Sequence, residues 1–269
     1  MTLGFSVENL LPRARVAGRH RMGLVRVPES DWLQPDPYLA ARHAGFDAHP
    51  DAVIVLPEAE APARELAAML GVEGGLGEAA RRTWEDRCVL TQATPDEPYR
   101  FTGGAVAFPT DWWLAEKIGQ PLLKVHEPID GYAEQLSAAV DAFMAKLATG
   151  EIYGRTNAFI LPTDALRYMP ADDPTERFAH VTPENAGETL FARCERETLR
   201  RLPETGAIVF TIGVYRASLA SLSAHAVSRL ASSIQGFGDN EQSRRNAPLY
   251  AGALTGYAAH RARQGEGAC

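Results

Sequence analysis

Apolar side chains alternate with smaller or polar ones over residues 207–215, which is the period-two pattern of a β-strand. One face of this segment is formed by Ile208, Phe210, Ile212 and Val214. Because β-branched and aromatic residues occupy both faces, we expect this strand to be central in its sheet. The same reasoning predicts shorter strands at Cys88–Leu90, Ala105–Phe108 and Leu190–Glu195.

Helical spacing is clearest between residues 132 and 147, where apolar side chains recur every three or four positions at Tyr132, Leu136, Val140, Phe143 and Leu147. Weaker patterns predict helices over 60–70, over 110–118 with Thr110 as its cap, and over 219–230. Residues 196–202 are expected to form a helical turn, and residues 236–246 to be polar and loose.

Strands that follow one another directly, with helices between pairs of strands, indicate an α+β fold with an antiparallel sheet covered by helices. Such a sheet leaves a pocket between its concave face and the helices. The distribution of proline and polar residues divides the chain into an N-terminal wrapping extension at 1–50, a main domain at 51–235 and a tail at 236–269.

The composition narrows the range of functions. The 269 residues are 45% hydrophobic and carry a formal net charge of −7, which disfavours binding to nucleic acid. We interpret the basic cluster at 13–21 as a solvated arm. No apolar run reaches membrane-spanning length, and the three cysteines are scattered, so we expect a cytoplasmic protein without a membrane segment.

His126 carries the most informative candidate chemistry. It lies in the apolar, proline-bounded segment Pro121–Pro128, just after a tryptophan-rich stretch. A neutral imidazole presented from an apolar wall is what a haem iron requires. On the residues alone, however, a hydrogen-bonded core histidine without a metal is the commoner situation.

Several segments resemble the haem-dependent oxidative N-demethylase family, whose members are PAS-like proteins. The matching segments are in the family's order and cover most of the chain from Trp32 to Tyr215: Asp31–Asp36, Trp84–Leu90, Phe108–Trp112, Leu114–Gly119, His126–Pro128, Arg193–Pro203, Ala207–Ile212 and Tyr215.

The resemblance implies a PAS-like domain that holds haem b, activates O2 at the iron and oxidises a methyl group of a small secondary amine such as dimethylamine. The products would be formaldehyde and the demethylated amine. The chain has no dinucleotide-binding glycine motif and no cysteine cluster for iron–sulfur, so electrons would come from flavin and NAD(P)H on separate reductase subunits.

The resemblance also implies site residues. His126 would be the axial ligand, with His180 and His225 as alternatives, and Lys117, Arg193 and Arg201 are candidates for the haem propionates. A cationic amine needs carboxylate, aromatic or polar partners, for which the candidates are Glu195, Tyr215 and Asn157. Glu195 is equally well explained as a buried partner of Arg193 or Arg201, and Tyr215 as a residue that closes its strand.

The chain departs from the family pattern at Ala158, where an aromatic residue is frequent, at Glu197, where glutamine is frequent, and at Ile129–Asp130. The first departure enlarges the expected pocket and bears on the identity of the amine. Two other functions fit the same residues. One is a haem sensor or carrier without turnover, because PAS-like folds use this cavity for signalling, and the other is a cofactor-free interaction subunit.

Overall fold

A computed structural model describes residues 3–14, 21–129 and 131–266. Three features discussed above therefore lie wholly or partly outside the described residues: the middle of the basic cluster at 15–20, Asp130, and the end of the tail at 267–269.

One antiparallel sheet of seven strands organises the described residues, in the order β1-β5-β6-β7-β3-β4-β2. The predicted α+β class is confirmed, and the strand predicted at 207–215 is central, as expected. The assignment to a PAS-like fold remains a prediction. The strands are β1 Val25–Arg26, β2 Val53–Val55, β3 Asp86–Thr91, β4 Arg100–Ala105, β5 Ile152–Leu161, β6 Phe191–Arg201 and β7 Ile208–Ser218.

The helices of the described residues are short apart from α3, α10 and α12, and none of them has the length and apolar character needed to cross a membrane. A π-helical turn, Ala133–Ser137, leads directly into α7. The helices are α1 Val7–Leu10, α2 Ala40–Ala48, α3 Pro57–Met69, α4 Leu76–Arg81, α5 Leu114–Lys117, α6 Leu122–Val125, α7 Ala138–Lys146, α8 Thr175–Phe178, α9 Ala186–Thr189, α10 Ala224–Gln235, α11 Asp239–Arg244 and α12 Ala251–Glu266.

The sheet separates two apolar cores, because successive side chains of a strand point to opposite faces. Val89 of β3 belongs to a larger core that includes Leu66 of α3 and Leu230 of α10. Its neighbours on β3, Cys88 and Leu90, belong to a smaller core with α5, α6 and α7. We call the side of the smaller core the inner face and the other side the outer face.

The helical turn predicted over 196–202 is wrong. Strand β6 continues to Arg201 and pairs along its whole length with β5 and β7. The charged residues in this stretch favour a helix locally, yet they alternate between the two faces of the sheet, and tertiary pairing overrides the local preference.

Three further predictions need correction. The strand expected at 105–108 ends at Ala105, and the helix expected from Thr110 begins at Leu114. Residues 239–244, expected to be loose, form α11, where buried Glu241 accepts hydrogen bonds from Arg244 and Arg245. Strand β5 and helix α12 were not predicted.

The division at 50 and 235 remains a prediction. Both flanking segments contact the main body: β1 pairs with β5, and α12 packs against α10.

Candidate functional site

The ring of His126 is fixed by the helix that precedes it. His126 is the residue after α6, and its Nδ1 lies 2.8 Å from the carbonyl oxygen of Leu122. A carbonyl oxygen can only accept a hydrogen bond, so this contact assigns the proton to Nδ1. The lone pair of the neutral ring therefore lies on Nε2, the atom available to a ligand.

The surroundings of His126 favour the neutral ring. Burial lowers its pKa to about 4, and the positive charges of Arg155 and Lys117 act in the same direction, while the hydrogen bond to Leu122 opposes them. A neutral imidazole whose Nδ1–H is held by a backbone carbonyl is the form in which histidine binds metals.

Tyr132 covers one side of this histidine. The two rings are stacked, with centroids 4.4 Å apart and planes 11° apart. Burial raises the pKa of Tyr132 to about 12, so it remains a neutral phenol. The π-helical turn begins at the next residue, and such irregular turns are frequent at functional sites.

Beside this pair lies a polar patch of the sheet, which is formed by Arg155, Asn157, Glu195 and Glu197. Arg155 of β5 is opposite Glu197 of β6, and its Nε donates to the Glu197 carboxylate. The charge of Glu197 raises the pKa of Arg155, whose side chain is 35% exposed. Arg155 was not among the predicted site residues. The signal that identifies it is the polar alternation Tyr153, Arg155, Asn157 within β5.

Glu195 is the buried acid of the site. Its carboxylate accepts a hydrogen bond from the hydroxyl of Thr110, which in turn accepts one of 2.8 Å from Nε of Arg193. Burial raises the pKa of Glu195 and the charge of Glu197 adds to this, whereas Arg193 and Thr110 oppose it. Two carboxylates two residues apart on one strand face thus compete for ionisation.

Of the three residues predicted for the amine, the structure brings two together. Asn157 is the cross-strand partner of Glu195, so both lie on the same face. Tyr215 pairs with Cys194 and lies on the outer face, where its hydroxyl donates to Gln34 Oε1 at 2.8 Å.

The three basic residues predicted for the haem propionates are already engaged with protein atoms. Lys117 Nζ donates to the carbonyl of Val125 at 2.7 Å. Arg193 donates to the carbonyls of Leu166 and Phe108, besides Thr110, and Arg201 donates to the carbonyls of Leu147, Gly206 and Met144. Arg155 uses Nε for its ion pair with Glu197, and its side chain is 35% exposed, which makes it a further candidate.

The alternative histidines are at the surface. His180 and His225 are both exposed, the first in the loop after α8 and the second in α10. Exposure deprives them of the apolar surroundings that keep His126 neutral.

The donor set fits a haem better than a bare metal ion. Among residues 3–14, 21–129 and 131–266, no group of three or more His, Cys, Asp or Glu side chains is placed to hold a metal. A porphyrin supplies four nitrogen ligands of its own, so a single imidazole suffices. Two clefts lie elsewhere, one beside Phe159 and one beside Trp113, and His126 lines neither.

Comparison with known proteins gives one family. A family model described as haem-dependent oxidative N-demethylase, alpha subunit-like, matches residues 74–254. The match contains His126, the polar patch and five of the seven strands. No curated protein matches the chain.

Proposed function

The chain belongs to the haem-dependent oxidative N-demethylase, alpha subunit-like family, and from this premise we propose that it is a haem-binding enzyme that demethylates a small secondary amine. In this proposal His126 ligates haem b and the substrate resembles dimethylamine. The overall reaction consumes the amine, O2, two electrons and two protons, and it yields the demethylated amine, formaldehyde and water.

The state of His126 is the observation that carries the proposal. Its proton is on Nδ1, its pKa is low, and Nε2 keeps its lone pair at neutral pH. When bound, the haem would supply O2 binding and the oxidation of the methyl group. The stacked ring of Tyr132 restricts rotation of the imidazole about its side-chain bonds.

The amine site is assigned to the polar patch. A protonated amine loses hydration when it enters a protein, and a carboxylate offsets that loss. Glu195 is positioned by Thr110 and partly neutralised by Arg193, so its carboxylate can accept an N–H from the amine at moderate cost. Asn157, on the same face, offers a second hydrogen-bonding group. Tyr215 lies on the other face and is left out of this assignment.

The electrons would come from a separate reductase that uses flavin and NAD(P)H. Three cysteines are too few for a four-thiolate iron–sulfur cluster within the chain. The two described cysteines are also unsuited to ligation, because burial raises the pKa of Cys194 to about 12 and raises that of Cys88 as well. An alpha-subunit-like chain that works with partner subunits agrees with this requirement.

The test is haem titration of His126→Ala beside the matched control His225→Ala, which removes an exposed histidine. We expect the wild type and the control to develop a Soret band, and His126→Ala to lose at least about 100-fold in haem affinity while circular dichroism shows it folded. A wild-type spectrum in His126→Ala would overturn the assignment.

A formaldehyde assay then separates the alternatives. With dimethylamine, O2 and a reductase, release of formaldehyde supports the enzyme. A Soret band without turnover of any secondary methylamine would indicate a haem sensor or carrier. Absence of a Soret band in the wild type would leave a cofactor-free interaction subunit.

A further inference from the structure

The outer face of the sheet contains a second buried polar group, remote from His126. Trp32 follows the short helical turn Glu29–Asp31 and lies against three arginines. The guanidinium of Arg200 is 4.3 Å from the Trp32 ring centroid and that of Arg87 is 5.9 Å from it, while Arg196 Nη1 donates to the Trp32 carbonyl at 3.0 Å. We call Trp32, Glu85, Arg87, Arg196 and Arg200 the Trp32 cluster.

The Trp32 cluster is buried except at Arg200, whose side chain is 12% exposed. Arg87 and Arg196 are 0% exposed and Trp32 is 5% exposed. It nevertheless contains buried N–H donors that no acceptor among the described residues satisfies: Trp32 Nε1, Arg87 Nε, Arg87 Nη1, Arg196 Nε and Arg200 Nε. Buried donors are nearly always paired in native proteins, so a group of this kind indicates a partner outside the polypeptide.

The cluster also carries more positive than negative charge. Three guanidinium groups face the buried carboxylate of Glu85, whose Oε2 is 3.9 Å from Arg87 Nη2 and has no hydrogen bond. The other buried carboxylate near Arg87, that of Asp86, is paired with Arg42. Glu29 pairs with Arg200 at 2.5 Å but is at the surface, where water screens its charge. Burial lowers the pKa of Arg87 to about 10, an effect that the nearby carboxylates do not cancel.

Water satisfies such a group poorly. A water molecule brings two donors of its own, and the cluster offers a single unpaired acceptor, Glu85 Oε2, against five unpaired donors. An anion accepts several hydrogen bonds, donates none, and offsets a positive charge. The guanidinium groups of Arg200 and Arg87 are within 6 Å of the Trp32 ring centroid, and of the common anions a monatomic one needs the least room between side chains packed this closely.

We propose that the Trp32 cluster binds a monatomic anion, chloride in the cell, which fixes the N-terminal segment around Trp32 to the outer face of the sheet. The site is independent of haem and of the amine. Its occupant stabilises the folded chain according to its concentration relative to its dissociation constant.

The first test is thermal unfolding of the full chain in sodium chloride, bromide, sulfate and gluconate at one ionic strength and one pH. We expect chloride and bromide to raise Tm by about 3 °C in a saturable manner relative to gluconate. An equal or larger rise in sulfate would indicate a general salting-out effect and overturn the proposal.

Two tryptophan variants make the test specific. Trp32→Phe keeps an aromatic ring under Arg200 but removes one unpaired donor, and we expect its halide response to fall by at least half. The control Trp84→Phe loses a hydrogen bond that is already made, from Nε1 to the Val214 carbonyl at 3.0 Å. It should unfold at lower temperature yet keep the full halide response. The same response in both variants would contradict the site.

Crystals grown in bromide give a direct readout. An anomalous peak within hydrogen-bonding distance of Trp32 Nε1 and Arg87 supports the proposal. Water molecules alone at these atoms, in crystals that contain bromide, would refute it.

Discussion

The two faces of the sheet bury arginines in opposite ways. On the inner face, Arg193 is 1% exposed and donates to Thr110 and to backbone carbonyls through all three of its nitrogens. On the outer face, Arg87 is fully buried, yet its Nε and Nη1 have no acceptor among the described residues. Burial of a charge therefore does not by itself indicate a ligand. The unpaired donors around Arg87 indicate one, whereas Arg193 serves to hold Glu195 and the chain around Phe108.

The largest difference between the two faces is expected in the stability of the variants Arg193→Met and Arg87→Met. Loss of Arg193 leaves buried carbonyls and the Thr110 hydroxyl without their donor and removes the positive charge near Glu195, so we expect a loss of about 3–5 kcal/mol in the free energy of unfolding. Loss of Arg87 removes a cation with few partners, and in halide-free buffer it should cost about 1–2 kcal/mol. Urea unfolding measures both. Equal losses would show that the two arginines are equally well paired.

The next effect concerns substrate binding. Glu195→Gln keeps the side-chain shape but removes the negative charge that we propose to bind the amine, so we expect KM for dimethylamine to rise about 10-fold or more. Steady-state formaldehyde production measures the effect, and haem binding should be unchanged. An unaltered KM would leave Glu195 as a structural partner of Arg193, the alternative that the residues alone had left open.

The pH dependence of stability tests the neutral state of His126. Its pKa is about 4 when folded and 6.5 as the ordinary value, so between these limits the unfolded chain binds the additional proton. This contribution to stability is complete above pH 6.5 and is lost as the pH falls towards 4. Unfolding of the haem-free protein by urea should show a shallower decline over pH 6.5 to 4 in His126→Gln. An identical decline in the variant would mean that His126 titrates normally.

The smallest effect is expected for Tyr215→Phe. The variant loses the hydrogen bond to Gln34 on the outer face and should be destabilised by about 0.5–1.5 kcal/mol. KM and kcat should not change, because Tyr215 and Glu195 are on opposite faces. A large rise in KM would contradict the separation of the two faces.

The sequence predicted the strands in which the alternation of side chains is regular. The alternation at 207–215 predicted the central strand, and the Cys88 and Leu190 strands were found at the predicted places. Strand β5 was missed because Gly154, Thr156 and Ala158 interrupt its apolar pattern. In the structure Gly154 lies against Leu3 and Val27 of the N-terminal segment. Only the packed structure shows that contact.

The candidate site likewise depends on contacts that the sequence does not show. His126 was chosen from its apolar, proline-bounded surroundings together with the family resemblance and stays a prediction, to which the structure adds the proton position through the Leu122 carbonyl. Thr110 was assigned as a helix cap because a hydroxyl before an apolar stretch has that role locally, whereas its partner Glu195 is 85 residues away. The sequence could not show whether Lys117, Arg193 and Arg201 bind propionates or stabilise the fold, because the carbonyls to which they donate are visible only in the structure.

Imidazole rescue of His126→Gly is a direct test of haem ligation by Nε2 of His126. We predict that this variant binds haem weakly, and that added imidazole restores the wild-type absorption spectrum by filling the space of the lost ring. A wild-type spectrum in His126→Gly without imidazole would contradict ligation of the haem by His126.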